Sequence, residues 1–303
     1  RYPDGPPAGS GSPVVGGTLV SIDSVSYTAL LRYKFENNFS VHGGLRGSRA
    51  SGKVGLRGVG YSASNGYDLD IDGTWGLGWV AGVAYEIPDI AARVSLTYNS
   101  PIDHDFGMTE TGGLLGGNVV HGKHEVRTPR SWTLEGQTGV AEDTLVFGSI
   151  RWVKWSEFVV ENAHFPINPD RFPPVPPGTD VPLVELQDTT TYTLGVGRKF
   201  TENWSGSASF VYEPSEGRHS SPLAPHNGRK GVTLAAIYTR DNMKITTGIN
   251  YSKLGDARLG VGQRGMRMGR PARKDHLRGH IVVVQQPAEH VDLVDQGVVD
   301  RHG

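Results

Sequence analysis

The sequence predicts an all-β chain folded as an antiparallel transmembrane β-barrel, and three observations carry that reading. Apolar and polar or small residues alternate with a period of two over ten segments between residues 24 and 254, the side-chain period of a strand. The segments pair into five hairpins, with short and long connections strictly alternating. Turns of two to five residues fall at 36–38, 88–91, 142–143, 201–203 and 241–243, and loops of more than a dozen residues separate the hairpins. Tyr and Trp also gather at strand ends, where a membrane interface would lie. Short turns at one end and long loops at the other are the asymmetry of an outer-membrane barrel. A soluble sandwich is expected to mix its loop lengths.

Taken in order, residues 1–23 are rich in Gly, Pro and Ser and read as a loop. In the first hairpin Val25, Tyr27, Ala29, Leu31, Tyr33 and Phe35 share one face. After Glu36-Asn37-Asn38 the return arm places Phe39, Val41, Gly43 and Leu45 against Ser40, His42, Gly44 and Arg46. A polar stretch, Gly58–Gly73, reads as a loop. The second hairpin, Thr74–Phe106, has the clearest pattern. Trp75, Leu77, Trp79, Ala81, Val83, Tyr85 and Ile87 oppose Thr74, Gly76, Gly78, Val80, Gly82, Ala84 and Glu86. Its second arm sets Val94, Leu96 and Tyr98 against Arg93, Ser95, Thr97 and Asn99. The small face of Gly76, Gly78 and Gly82 leaves room for something inside the barrel, the plug or the ligand. Gly107–Pro129 then reads as a Gly-rich outer loop.

The third hairpin, Ser131–Phe158, turns at Glu142-Asp143. Trp155 breaks the phase of its return arm, which predicts a bulge or a wet rim there. Val159–Thr189 is a long Pro-rich loop. The fourth and fifth hairpins span Thr190–Glu213 and Gly231–Leu254. The alternation stops near Asp256. Residues 255–303 form an atypical basic tail whose abrupt change of composition is that of a shifted reading frame, with a genuine basic tail as the alternative.

Composition narrows the chemistry. The chain of 303 residues contains no cysteine, which excludes a disulfide framework and a Cys-ligated metal site. A formal net charge of −1 gives no electrostatic case for nucleic acid. No run approaches the roughly 18 consecutive apolar residues of a membrane helix, which does not count against a barrel. No cofactor is implied, and no catalytic constellation emerges. His121, His124 and Glu125 have near-ligand spacing but fall in a segment read as a solvated loop, so no metal site is assigned. His42 with Ser40 is the one inward His–Ser pair an envelope hydrolase could use.

Several motifs resemble a known family. Gly73-Thr74-Trp75-Gly76-Leu77-Gly78-Trp79 with Ala81-Gly82 and Tyr85-Glu86 is similar to a segment of the FadL/TodX (OmpP1) outer-membrane transporters of long-chain fatty acids and hydrophobic compounds. Val94–Ser100 followed by Asp105-Phe106, Pro129-Arg130-Ser131-Trp132, Trp152–Phe158, and Asn203-Trp204 with Tyr212–Ser215 resemble further family segments in the family's order. The resemblance implies a fourteen-strand barrel holding a small plug, with apolar solutes passing a greasy lumen and leaving sideways into the membrane. About ten strands would be present here, with the plug and the first strands missing. It also implies an outer-membrane location and no enzymatic activity. The expected partners are fatty acids or hydrocarbons, outer-membrane lipid and lipopolysaccharide, with the chain acting as a monomer. A surface adhesive barrel and an envelope hydrolase are the alternatives.

A fatty-acid carboxylate calls for a cation in the lumen. The candidate substrate-binding residues are Arg46, Arg49, Lys53 and Arg151. The opposing expectation is an ordinary ion-pair network joining Arg32, Arg46, Glu135 and Arg151 across the barrel interior.

Overall fold

The computed structural model describes residues 11–160, 184–215, 227–241 and 243–255, with positions 4, 9, 219, 220, 223, 258 and 259 outside these runs. Twelve strands form one sheet. They are β1 (Leu19–Lys34), β2 (Phe39–Gly55), β3 (Asp68–Ile87), β4 (Ala92–Asn99), β5 (Ile102–Thr111), β6 (Val119–Thr128), β7 (Ser131–Ala141), β8 (Thr144–Val153), β9 (Thr189–Lys199), β10 (Trp204–Glu213), β11 (Arg229–Arg240) and β12 (Met243–Leu254). Ten of them run β1-β2-β3-β4-β7-β8-β9-β10-β11-β12, each antiparallel to its neighbour. These are the five hairpins of the sequence. This ten-strand path is open among the described residues, with β1 and β12 at its two ends.

Four of the five short connections close with a residue in the left-handed region: Asn38 at φ 67°, Ala91 at φ 50°, Asp143 at φ 54° and Asp241 at φ 51°. Asn and Asp tolerate that conformation through local hydrogen bonding. Ala91 has no such help, so this turn carries strain of about 1 kcal/mol.

The pleat puts the apolar positions on one side. Tyr27, Leu31, Tyr33, Leu45, Leu77, Val83, Leu194, Leu234 and Ile249 are all exposed there. The band on β3 runs from Tyr85 to Trp75, ten residues at about 3.3 Å each. With a strand tilt of about 40° it is about 25 Å tall, the height of an outer-membrane barrel's apolar belt. Aromatic contacts mark both margins. Phe39 packs on Tyr85 at 4.7 Å near the turns, and Tyr27 stacks on Trp75 at 6.1 Å near the loops.

Parts of four stretches read as loops are instead strand: Leu19–Asp23 opens β1, Val159–Val160 pairs with Val184–Glu185, and two longer stretches follow. Asp68–Gly73 continues β3 outward, past a bulge. Ala50 faces Thr74 but Gly52 faces Ile71, so Asp72 and Gly73 together oppose Ser51. The extra residue exchanges the faces. Inside the bulge the even-numbered residues of β3 face the lumen, whereas beyond it Leu69 and Ile71 turn inward and Asp68 and Asp70 outward. The other longer stretch is Gly107–Pro129, which is not a loop. Ile102–Thr111 and Val119–Thr128 pair over their whole length as β5 and β6. On β5 Ile102, His104, Phe106, Met108 and Glu110 are buried and the residues between them are not. Two polar members of the buried set hid this alternation in the sequence.

The sheet therefore branches at β3. Val80–Ile87 pairs with β4, and Asp68–Ile71 pairs with Met108–Thr111 of β5. Beyond the belt the branch encloses a small core of Val54, Leu56, Tyr67, Leu69, Phe106, Met108 and Val126, with Ile71, Tyr61 and Phe158 packed against it. Each large side chain buried there contributes about 1.5–3 kcal/mol. At the rim β8 gives way to a 3-10 turn, Trp155–Glu157, where Trp155 meets Phe158 edge-on at 6.2 Å. The wet rim expected at Trp155 is thus a tight turn. Phe172–Pro177 of the Pro-rich loop and residues 260–303 of the basic tail lie outside the described residues.

Candidate functional site

The inner face of the sheet is lined by small and polar residues. β2 contributes Ser40, His42, Gly44 and Arg46, β3 Gly76, Gly78, Gly82 and Glu86, and β4 Arg93, Ser95 and Thr97. β7 and β8 add Thr133, Glu135, Gln137, Phe147 and Arg151. Phe147 lies against Gly195 of β9, where a Cβ would fall 2.4 Å from its ring, so an apolar ring takes the space that a side chain at 195 would occupy.

The strand register separates the four candidate cations. Arg46 pairs with Thr28 and Gly78 on the inner face, and Arg151 pairs with Thr133 and Thr191 on the same face. Arg49 and Lys53 have the opposite parity. Arg49 sits beside Trp75 at the loop-side margin of the apolar belt, with its guanidinium over Gly73. Lys53 lies further out and pairs with Asp70 at 2.6 Å. The four do not form one cluster.

The main charge cluster of the lumen is one the sequence did not single out as a site. Glu86, near the turn end of β3, is shared by Arg32, by Lys34 at 2.9 Å and by the Nε of Arg93 at 3.5 Å. Three cations thus converge on one carboxylate at that end of the lumen. The expected network from Arg32 to Arg46, Glu135 and Arg151 takes a different form: Arg32 pairs with Glu86, and Glu135 accepts a hydrogen bond from Ser95 Oγ at 3.3 Å. The signal for Glu86 and Arg93 was present in the alternation, since both fall on polar faces, but their convergence depends on the register of β3 with β4.

The possible hydrolase pair does not assemble. His42 Nε2 is 3.0 Å from Thr97 Oγ1, and its ring fills the space above Gly82. Ser40 Oγ instead accepts a hydrogen bond from Arg32 Nε at 3.2 Å. His121, placed on β6, contacts Thr109 Oγ1 at 3.0 Å through Nδ1, and no metal-binding group of three or more His, Asp or Glu occurs among the described residues.

The other small positions of the inner face are also taken. The chain leaving β4 turns inward at Ser100, whose Oγ accepts a hydrogen bond from Trp79 N at 2.8 Å. β5 then crosses the lumen side of β3. A Cβ on Gly78 would lie 2.6 Å from Ile102 Cγ1, and one on Gly76 2.5 Å from Ile102 Cγ2. His104 Nε2 reaches the carbonyl of Ser48 on β2 at 3.1 Å. The space expected to take the plug or the ligand is filled at this level by the chain's own β5–β6 hairpin.

Comparison with known proteins agrees with this geometry. Among curated relatives, Outer membrane protein P1 of Haemophilus influenzae is 27% identical over 185 residues, covering 59% of this chain and 38% of that protein. The long-chain fatty acid transport protein of Escherichia coli K12 is 23% identical over 202 residues, covering 62% of this chain and 41% of that protein. The chain thus spans about two fifths of the length of these relatives. Among solved structures, a FadL homologue of Pseudomonas aeruginosa superposes with a TM-score of 0.58 at 16% identity, covering 77% of this chain and 60% of that one. The CymD monoaromatic hydrocarbon channel superposes with a TM-score of 0.54 at 15% identity, covering 78% and 70%. These superpositions establish the shared barrel fold. The model of the outer membrane protein transport family (OMPP1/FadL/TodX) matches residues 12–273, and the chain belongs to that family of the bacterial outer membrane.

Proposed function

We propose that this chain forms part of the wall and outer mouth of an outer-membrane channel that takes up long-chain fatty acids or other hydrophobic compounds. One observation carries the reading: a belt about 25 Å tall faces outward between two aromatic margins while the opposite face is small and polar. Such a wall keeps lipid outside and leaves a conduit inside. An apolar solute gains by staying out of water throughout its passage, which favours a lumen with apolar surfaces such as Phe147 over an open aqueous pore. The chain acts as a conduit and not as an enzyme, and it works as a monomer. The names of the relatives support fatty acids and aromatic hydrocarbons as the substrate class.

Of the four candidate cations, Arg46 and Arg151 face the lumen and serve a passing carboxylate. Arg49, at the Tyr27–Trp75 margin, stands at headgroup level and serves the phosphates of lipopolysaccharide. Uptake of labelled oleate and of labelled toluene by cells expressing the full-length protein tests the reading. Uptake above that of an empty strain for at least one of them is expected, and no gain for either overturns it.

A further inference from the structure

We infer that the β5–β6 hairpin is a hinged gate, seated on the lumen face of β2 and β3, that lifts to let a solute pass the outer mouth. This rests on the channel reading above and concerns how its conduit is opened.

The first observation is the seat. Ile102 and His104 rest on Gly76 and Gly78, positions at which any side chain would collide with the hairpin. At Gly76 and Gly78 the seat gives close approach with no β3 side chain interlocking against Ile102 and His104, and the interlocked contact is confined to the core around Phe106 and Met108. The second is the attachment. β5 is bonded to β3 only through Asp68–Ile71 with Met108–Thr111. Between that short ladder and the strap at Ser100, β5 holds to the wall by apolar contact and by the His104–Ser48 carbonyl bond. β6 has β5 as its one ladder partner in the sheet.

The third observation concerns polar groups buried at a cost. Four buried side-chain polar atoms lack a hydrogen-bond partner among the described residues, and three are on this hairpin: His104 Nδ1, Glu110 Oε1 and His124 Nε2. His104 and Glu110 are 0% and 1% exposed. Glu110 Oε2 accepts a hydrogen bond from Tyr67, so half of that carboxyl is satisfied and half is not. Desolvating a polar atom with nothing in return weakens the docked state, whereas in a raised hairpin water serves all three. The apolar core of Phe106, Met108 and Val126 pulls the hairpin down while these atoms push it up. That balance keeps a closed gate within reach of opening.

The cysteine-free chain allows a direct test. Because a Cβ on Gly78 would lie 2.6 Å from Ile102 Cγ1, the double variant Gly78→Cys/Ile102→Cys places two sulfurs in bridging range. In outer-membrane vesicles the oxidised variant should lose uptake by tenfold or more relative to the same protein reduced with dithiothreitol. Equal uptake in both states overturns the gate. If wild type and the reduced variant both fail to transport, the channel reading fails, and a second measurement still decides the gate. Ile102→Cys alone should react slowly with a membrane-impermeant maleimide and severalfold faster when oleate is added. A rate unchanged by oleate or toluene means that the hairpin is fixed, and the inference falls.

Discussion

Ala81 offers the sharpest test of which solvent meets the outer face. It lies on β3, four residues from Tyr85 and six from Trp75. At about 3.3 Å per residue and a tilt of about 40°, those separations are about 10 Å and about 15 Å along the membrane normal. Ala81 therefore sits about 2.5 Å from the midplane of the belt. An arginine at midplane on the lipid face of a barrel costs about 2–4 kcal/mol, and near the interface about 0–1 kcal/mol. Ala81→Arg should lower the folding equilibrium constant by about 30- to 700-fold, since each 1.4 kcal/mol is a factor of ten. Leu77→Arg, about 5 Å inside the loop-side margin, should cost an intermediate amount. Val25→Arg, at the margin, should cost little beyond its repulsion with the opposing Arg49. Equilibrium folding into phosphatidylcholine vesicles over a urea series, followed by tryptophan fluorescence, gives the three values. A cost that does not peak at Ala81, or three equal costs, would refute assignment of this face to lipid, because a buried protein core has no reason to follow depth in a bilayer.

Other outcomes follow from the turns and charges. Ala91→Gly should stabilise the chain by about 1 kcal/mol by relieving a left-handed alanine, read from the same urea titration. Glu86→Gln should destabilise it by about 1–3 kcal/mol because three cations lose their shared carboxylate, and adding Arg93→Gln should recover part of that loss in a double-mutant cycle. Partial burial pushes the Glu157 carboxyl upward, but Arg130 and Lys154 outweigh it and hold its pKa below the ordinary 4.5. A depressed carboxylate stabilises fully above its unfolded pKa and loses that contribution as pH falls through the folded value. The rim turn should therefore loosen as pH drops below about 4.5, seen as a change in Trp155 emission that Glu157→Gln abolishes.

The ten wall strands were legible because lipid on one side and a wet lumen on the other enforce a strict period of two. The short turns between them were legible because Asn38, Asp143 and Asp241 suit the conformations they adopt. The outer cap was not legible, for a physical reason. There the solvent is water and the apolar side chains turn inward to a local core, so the pattern changes phase at Asp72-Gly73 and carries buried His104 and Glu110 where the eye expects apolar residues. The candidate site was half visible. Cations could be found in the sequence, but the parity that sends Arg46 inward and Arg49 outward needs the strand register. Glu86 needed more, because it gathers Arg32 and Lys34 from a strand two places away.

The extra residue in β3 lets one strand serve two solvents. On its membrane side, greasy side chains meet lipid. On its outer side, Leu69 is buried and Ile71 half-buried against the core, while Asp68 and Asp70 meet water. Removing a single residue at Asp72 would leave every lipid contact unchanged while turning the outer third of the strand inside out, with two carboxylates driven into an apolar core. The membrane wall and the outer cap are thus joined by a coupling one residue long, and each can change its packing without disturbing the register of the other.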